Sequence, residues 1–340
     1  MGSDKIHHHH HHMKPLRKIR LGIVGCGIAA RELHLPALKN LSHLFEITAV
    51  TSRTRSHAEE FAKMVGNPAV FDSYEELLES GLVDAVDLTL PVELNLPFIE
   101  KALRKGVHVI CEKPISTDVE TGKKVVELSE KSEKTVYIAE NFRHVPAFWK
   151  AKELVESGAI GDPVFMNWQI WVGMDENNKY VHTDWRKKPK HVGGFLSDGG
   201  VHHAAAMRLI LGEIEWISAV AKDLSPLLGG MDFLSSIFEF ENGTVGNYTI
   251  SYSLKGNERF EITGTKGKIS ISWDKIVLNE EEMKVPQENS YQKEFEDFYQ
   301  VVAEGKPNDL GSPVQALKDL AFIEACVRSA GNKVFVSSLL

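Results

Sequence analysis

Three side chains that could move a proton to or from a hydroxyl group occupy two distant segments of the chain: Lys113, Asp198 and His202. Asp198 and His202 are four residues apart, so a helix that begins near Asp198 would present both on one face. An acid, an imidazole and an ammonium that converge on a hydroxyl supply an orienting charge, a proton acceptor and a polarising cation. We therefore expect these three residues to form a catalytic group. Without Lys113, Asp198 would most simply cap a helix and His202 would be an ordinary core histidine.

The position of Lys113 supports the catalytic interpretation. It follows the apolar run 107–111, which is typical of a buried strand, and open α/β sheets bind ligands at the carboxyl ends of their strands. Pro114 favours an extended backbone at Lys113, which sets the direction of the amine. Taken alone, a Lys-Pro pair at a strand end is more often only the start of a loop.

A glycine-containing segment after the first apolar run reads G-x-G-x-x-A from Gly25 to Ala30. In a dinucleotide-binding loop the first glycine permits a tight turn, and the second lets the backbone approach a pyrophosphate. The amides at the start of the following helix then face the negative charge. A plain turn is the alternative. We expect this site to be formed by Gly25, Gly27, Ile28 and Ala29.

The segment after the second predicted strand bears on the choice of cofactor. An acidic residue there would hydrogen-bond the ribose of NAD, whereas this chain has the sequence Thr-Ser-Arg-Thr-Arg at 51–55. Hydroxyl and guanidinium groups suit the 2′-phosphate of NADP, because arginine offers forked donors. We therefore expect Ser52 and Arg53 to favour NADP, with NAD as the second choice. A polar helix cap with solvated arginines is the simpler explanation.

Two kinds of pattern divide the chain into the elements that must position these residues. Residues 13–141 alternate apolar strands with helices, which predicts a doubly wound parallel sheet, a Rossmann-type dinucleotide-binding domain. Residues 142–340 contain several strands in series joined by turns, which predicts an α/β domain with a large, mostly antiparallel open sheet. This second domain, which carries Asp198 and His202, would bind substrate, and the other face of its sheet must be covered or is an association surface. Residues 1–12 are an expression tag.

Composition excludes several classes of protein. The net charge of −8, with basic and acidic residues interspersed, gives no reason to expect a nucleic-acid partner. No apolar run reaches the roughly 20 residues that span a membrane. The three cysteines are far apart and lie in apolar contexts, so we interpret them as buried hydrophobes of a cytoplasmic protein. No cysteine or acid lies at ligand spacing beside His202 and His203, so we expect no metal.

Together, the glycine loop, Glu112-Lys113-Pro114, Trp185-Arg186 and the D-x-G-x-H run from Asp198 resemble the Gfo/Idh/MocA family over essentially the whole native chain. The resemblance implies a Rossmann domain followed by an α/β domain whose open sheet mediates homodimers or homotetramers. It implies that Lys113 hydrogen-bonds the reacting hydroxyl and helps to hold the nicotinamide. His202 would then be the acid/base, and Asp198 would orient both substrate and imidazole.

The resemblance also implies further residues around the cleft. Those beside the cofactor would be Pro91, Asn95, Glu112, Lys113, Trp185 and Arg186. Those beside the substrate would be Lys113, Asn141, Arg143, Arg186, Asp198, His202 and His203. The chain departs from the family pattern at two positions. Ala205 stands where many members carry an acid, and Asn95 stands where many carry a histidine, so Asn95 is an uncertain neighbour of the cofactor.

The sequence thus predicts an oxidoreductase that transfers a hydride between NAD(P) and a sugar, a cyclitol or a related alcohol or carbonyl. One alternative is a glycosidase of the same fold that oxidises and re-reduces its sugar with a retained NAD. Another is a regulator that senses the cofactor without catalysis. The presence of Lys113, Asp198 and His202 argues against the regulator.

Overall fold

The N-terminal half forms a parallel sheet of six strands. The computed structural model describes residues 17–173, 194–225 and 230–340, apart from the side chain of Phe195. The strands are β1 (Ile19–Val24), β2 (Phe45–Thr51), β3 (Ala69–Phe71), β4 (Ala85–Leu88), β5 (His108–Glu112) and β6 (Val136–Ala139). Their order is β3-β2-β1-β4-β5-β6, and every neighbouring pair is parallel. The predicted doubly wound sheet is confirmed, with its topological switch point between β1 and β4.

Helices connect these strands. A π-helical turn (Ala29–His34) runs directly into α1 (Leu35–Asn40) and is followed by α2 (Arg55–Met64), α3 (Tyr74–Glu79), α4 (Asn95–Arg104) and α5 (Val119–Glu130). Short 3-10 turns lie at Val92–Leu94 and Asn141–His144. The cap of α3 is Ser73, whose hydroxyl accepts a hydrogen bond from the Glu76 amide.

The second half of the chain forms a sheet of nine strands. They are β7 (Pro163–Val172), β8 (Ile214–Lys222), β9 (Phe233–Phe240), β10 (Val245–Ser251), β11 (Lys255–Gly264), β12 (Lys268–Ile271), β13 (Lys275–Leu278), β14 (Glu281–Lys284) and β15 (Val334–Phe335). The order is β14-β13-β12-β11-β7-β10-β9-β8-β15. β7 and β10 are parallel and the other neighbours are antiparallel, which confirms the predicted, mostly antiparallel sheet.

The two faces of this sheet differ in their surroundings. One face packs against α6 (Pro146–Glu156), α7 (Phe195–Leu211) and α9 (Pro313–Ser329), and it buries Met166, Trp168 and Ile170 of β7. On the opposite face Phe165 and Ile237 are 42% and 46% exposed. Exposed apolar side chains on one face of a sheet commonly mark an association surface.

The helix α8 (Ser290–Glu304) follows the second sheet in sequence but packs on the first domain. Its Phe298 ring stacks on Phe45 of β2, and Phe295 meets the same ring edge to face. The polar residues of α8 therefore lie close to the first sheet, where they can join a site built from β4 and β5.

The three cysteines are buried free thiols, as their apolar contexts predicted. Burial raises the pKa of Cys26 to about 12, so this thiol stays protonated and unreactive at neutral pH. Among the described residues, no helix is both long and apolar enough to cross a membrane. The cytoplasmic location stays a prediction.

Candidate active site

The glycine loop lies at the switch point, between the carboxyl ends of β1 and β4. Gly25 has φ +97°, and a β-carbon there would overlap the carbonyl oxygen of Thr89, so the position requires glycine. At Gly27 a β-carbon would meet no atom within 4 Å. The backbone of Gly27 therefore faces open space, as an approaching pyrophosphate would need.

The helical segment after this loop supplies donors and close packing. Its first amide groups, near Ile28 and Ala29, lack intrahelical acceptors, because the first turn of any helix leaves them unpaired. Ala30 is fully buried, which matches the need for a small third residue. The loop and the helix start thus fit the pyrophosphate of a dinucleotide.

Two exposed arginines, Arg53 and Arg55, follow Ser52 at the end of β2. Arg55 is held by Asp72 at 2.6 Å and lies 3.6 Å from Glu59. Of the two arginines whose chemistry suits a phosphate, Arg53 is therefore the one without an acidic partner among the described residues.

Two residues expected beside the cofactor lie after β4. Pro91 is half-buried and precedes the 3-10 turn at Val92–Leu94. Asn95 is buried, and its amide donates hydrogen bonds to the carbonyl oxygens of Pro114 at 3.0 Å and Ile115 at 3.4 Å. Asn95 thus supports the segment that follows Lys113, and its contact with a cofactor stays a prediction.

The expected meeting of Lys113 with Asp198 is present in the structure. The Lys113 amine donates a hydrogen bond to the main-chain oxygen of Asp198 and lies 3.5 Å from its carboxylate Oδ1. Both side chains are largely buried, at 13% and 15% exposure. Asp198 and His202 lie on α7, which begins at Phe195, so the predicted common helix is present.

His202 has an acidic partner that the sequence interpretation missed, Glu140. The Nδ1 of His202 donates to Glu140 Oε2 at 2.6 Å, and the ring stacks on Phe142 with 4.3 Å between centroids. Burial alone would raise the pKa of Glu140, but the charge and hydrogen bond of His202 outweigh it and lower this pKa to about 2. The available signal was an acid at the end of β6, the strand beside the one that carries Lys113.

Two glycines allow α7 to approach its neighbours closely. A β-carbon at Gly199 would overlap the hydroxyl of Tyr252, and one at Gly200 would overlap the side chain of Ile323. The glycine pair after Asp198 therefore lets the helix bring Asp198 and His202 into the cleft.

His203, expected beside the substrate, is held within the second domain. Its Nδ1 is hydrogen-bonded to the Tyr248 hydroxyl at 2.6 Å, and its ring meets Trp168 edge to face at 4.9 Å. Burial, with the charges of His202 and Lys113, lowers the pKa of His203 to about 3. His203 is therefore neutral at physiological pH.

The two residues predicted from the domain crossover are held by other protein groups. The Asn141 amide donates to Ser290 Oγ at 2.9 Å. The Arg143 guanidinium is 5% exposed and pairs with Asp319 at 2.6 Å, a carboxylate that also binds Arg208 at 2.7 Å. The structure thus gives Arg143 a place in a buried ion network, and its contact with a substrate stays a prediction. Trp185 and Arg186 lie outside the described residues.

A further group of acids surrounds His34, at the end of the π-helical turn. Ligating atoms of His34, Glu112 and Glu294 lie within 4.8 Å of one another, although the residues are distant in sequence. The spacing rules that predicted no metal could not reveal this group. Glu112, expected beside the cofactor, is hydrogen-bonded to His34 in the structure.

Known protein families and proteins are similar to this chain over most of its length. Residues 19–140 match an oxidoreductase family with an NAD-binding Rossmann fold, and residues 148–270 match the GFO/IDH/MocA C-terminal domain. The uncharacterized protein YMR315W of Saccharomyces cerevisiae is 32% identical over 94% of this chain and 97% of its own length. A dTDP-3,4-didehydro-2,6-dideoxy-alpha-D-glucose 3-reductase of Actinomadura kijaniata is 27% identical over 93% of this chain and 97% of that enzyme.

Solved structures share this fold over most of the chain. KijD10, a 3-ketoreductase from Actinomadura kijaniata determined with NADP and TDP-benzene, superposes with a TM-score of 0.80 at 24% identity. The match covers 91% of this chain and 97% of that one.

Proposed function

The chain belongs to the GFO/IDH/MocA family of NAD(P)-dependent oxidoreductases, and we propose that Lys113, Asp198 and His202 are its catalytic group. The proposed reaction moves a hydride between the nicotinamide and a sugar, a cyclitol or a related alcohol or carbonyl. The observation that carries this proposal is the contact of Lys113 with Asp198, one helical turn before His202. The likeness to a reductase of deoxy-sugars supports the substrate class. No observation favours the glycosidase or the regulator.

The cofactor would be held by the loop at Gly25 and Gly27 and by the helix start at Ile28 and Ala29. When bound, the nicotinamide supplies or accepts the hydride. The protein groups have to move the proton and hold the reacting oxygen. The Lys113 amine is a cationic donor for that oxygen, and its hydrogen bond to the Asp198 carbonyl fixes its direction.

Proton transfer is assigned to Nε2 of His202, because Nδ1 already donates to Glu140. The Glu140 carboxylate selects this tautomer and stabilises the imidazolium that forms when Nε2 accepts the hydroxyl proton. Since the pKa of Glu140 is lowered to about 2, this carboxylate stays ionised throughout the physiological range. In the reductive direction the same imidazolium returns the proton to the carbonyl oxygen.

A panel of sugars and polyols, followed at the nicotinamide absorbance in both directions, tests the proposed reaction. We expect turnover with at least one member, and its loss in Lys113→Ala. Absence of turnover with NAD and with NADP across the panel would contradict the proposed substrate class.

The cofactor preference has its own test. We expect NADPH to bind at least tenfold more tightly than NADH, because Ser52 and exposed Arg53 can pair with a 2′-phosphate. Arg53→Ala should reduce this selectivity by about tenfold, since a charge-assisted hydrogen bond contributes roughly 1.5–3 kcal/mol. Arg55→Ala is the matched control, because Asp72 and Glu59 already hold that guanidinium. Fluorescence titration measures all three proteins, and equal affinities in the wild type would refute the NADP preference.

The exposed face of the nine-stranded sheet is the proposed surface of a homodimer or homotetramer. Phe165 and Ile237 lie there, half exposed in the single chain, and self-association would bury them.

A further inference from the structure

His34 closes the π-helical turn that follows the dinucleotide loop, and both of its ring nitrogens are used. Nδ1 lies 2.6 Å from Asp87 Oδ2 on β4, and Nε2 lies 2.6 Å from Glu112 Oε2 at the end of β5. The ring is 1% exposed and meets Phe295 of α8 edge to face at 5.2 Å. One imidazole thus links three elements of the dinucleotide-binding domain.

Three carboxyl groups surround this imidazole: Asp87, Glu112 and Glu294. Glu294 is fully buried, and neither of its oxygens has a hydrogen-bond partner among the described residues. Burial raises the pKa of Glu294, and the nearby carboxylates raise it further. Burial alone would lower the pKa of His34, but Asp87 and Glu112 outweigh it and raise this pKa well above its usual value. His34 is therefore an imidazolium that donates to both carboxylates.

The separation between His34 and Glu112 fits a shared proton and is shorter than the spacing of two ligands on one metal ion. Tetrahedral ligands at zinc bond lengths of about 2.1 Å would lie about 3.4 Å apart. The observed separation of 2.6 Å between Nε2 and Oε2 is that of a charge-assisted hydrogen bond.

We propose that His34 is a positioning residue, which sets Lys113 against the helix that holds the dinucleotide. Glu112 precedes Lys113 directly in the chain, so the bond from Nε2 reaches the segment that carries the catalytic amine. The bond from Nδ1 to Asp87 ties the same helix to β4, beside the switch point. A misplacement of a catalytic group by about 1 Å can slow catalysis a hundredfold, so hydrogen bonds that fix the position of Lys113 can affect kcat.

Two substitutions separate positioning from stability, because each keeps one of the two bonds. His34→Asn places an amide near the position of Nδ1 and keeps Asp87, whereas His34→Gln reaches the position of Nε2 and keeps Glu112. Loss of the Asp87 bond leaves a fully buried carboxylate unpaired, so His34→Gln should have the lower melting temperature. Glu112 is 16% exposed and tolerates the loss of its partner better.

Activity should follow the opposite order. We expect kcat of His34→Gln to stay within threefold of the wild type, and kcat of His34→Asn to fall about tenfold or more. A purely structural role would make kcat follow the melting temperature instead. That order, or equal kcat values in the two variants, would overturn the proposal.

A second readout needs no substrate. The inference rests on the proposed function, in which Lys113 helps to hold the nicotinamide. The dissociation constant of NADPH is therefore compared with that of 2′-phospho-ADP-ribose, a fragment that lacks the nicotinamide ring. His34→Asn should weaken NADPH about tenfold and leave the fragment unchanged, while the control His108→Asn, at the other end of β5, changes neither. An unchanged ratio in His34→Asn would overturn the proposal even if no substrate is found for the wild type.

Metal analysis completes the test. Protein expressed without the histidine tag should contain no stoichiometric divalent metal. A bound ion that is lost in His34→Gln would show that the cluster is a metal site and would overturn the positioning role.

Discussion

Two histidines in this protein each donate to a carboxylate at 2.6 Å, yet their surroundings differ. His202 uses one ring nitrogen for Glu140 and keeps 18% of its side chain exposed. His34 uses both nitrogens, for Asp87 and Glu112, and is 1% exposed. An imidazole with one committed nitrogen can exchange a proton with a ligand, whereas one with two committed nitrogens can only hold its partners in place. The comparison separates the proposed catalytic histidine from the proposed positioning histidine.

The carboxyl groups near the two histidines also differ, because the pKa of Glu140 near His202 is lowered and that of Glu294 near His34 is raised. Burial would raise the pKa of Glu140, but its interactions with His202, Lys113 and Arg143 outweigh it and hold this pKa at about 2. Burial also raises the pKa of Glu294, and there the neighbouring carboxylates add to the rise. Glu140, beside basic groups, thus stays ionised, whereas Glu294, in a cluster of acids, favours its neutral form.

The largest expected effect is at His202, the less buried of the two histidines. His202→Asn should lower kcat by roughly a thousandfold, within the range of general acid–base catalysis, and should leave the NADPH dissociation constant within about threefold. Steady-state kinetics and fluorescence titration measure the two quantities. If His202→Asn kept more than a tenth of the wild-type kcat, the division of roles between the two histidines would be wrong.

The anionic state of Glu140 should appear in the pH dependence of stability. Its pKa is lowered from 4.5 to about 2, so it contributes stability that is present above about pH 4.5 and is lost as the pH falls through about 2. The difference in unfolding free energy between the wild type and Glu140→Gln should therefore shrink by about 3 kcal/mol between pH 7 and pH 2. Urea unfolding across this range measures it.

The half-exposed Glu288, which pairs with Lys293 on the surface, offers the control for this stability effect. The corresponding difference for Glu288→Gln should stay nearly constant over the same pH range, because surface pairs contribute little. A constant difference for Glu140→Gln as well would contradict the assigned charge state.

The smallest expected effect is on catalysis by Glu140→Gln. The amide oxygen can still accept the Nδ1 hydrogen bond, but a neutral group stabilises the imidazolium less, so kcat should fall about tenfold. Glu324→Gln is the control, because that buried carboxylate binds the Val119 amide and Arg328 instead. An unchanged kcat in Glu140→Gln would show that Glu140 is only a structural partner of His202.

Local patterns in the sequence predicted much of the framework. The strand and helix alternation gave the parallel sheet, and the glycine loop fell at its switch point. The spacing of Asp198 and His202 placed both on α7, and Lys113 meets Asp198 as expected. The elements follow from periodicity, which is a property of neighbouring residues, whereas the meeting of Lys113 and Asp198, 85 residues apart, was expected from their complementary chemistry.

Partners that are distant in the chain were not predictable in the same way. Glu140 lies 62 residues before His202, and no local pattern marks it as the acid of that pair. The sequence also did not indicate that Arg143 pairs with Asp319, 176 residues away. Asn95 likewise binds the carbonyl groups after Lys113.

The sequence by itself therefore determined the fold class, the dinucleotide loop and the three residues of the proposed catalytic group. Only the tertiary structure decided which ring nitrogens of His202 and His34 are committed, and hence which histidine can move a proton. The physical reason is that residue type sets what a side chain is able to do. Burial and the charges brought together by distant segments set its protonation and the atoms it leaves available.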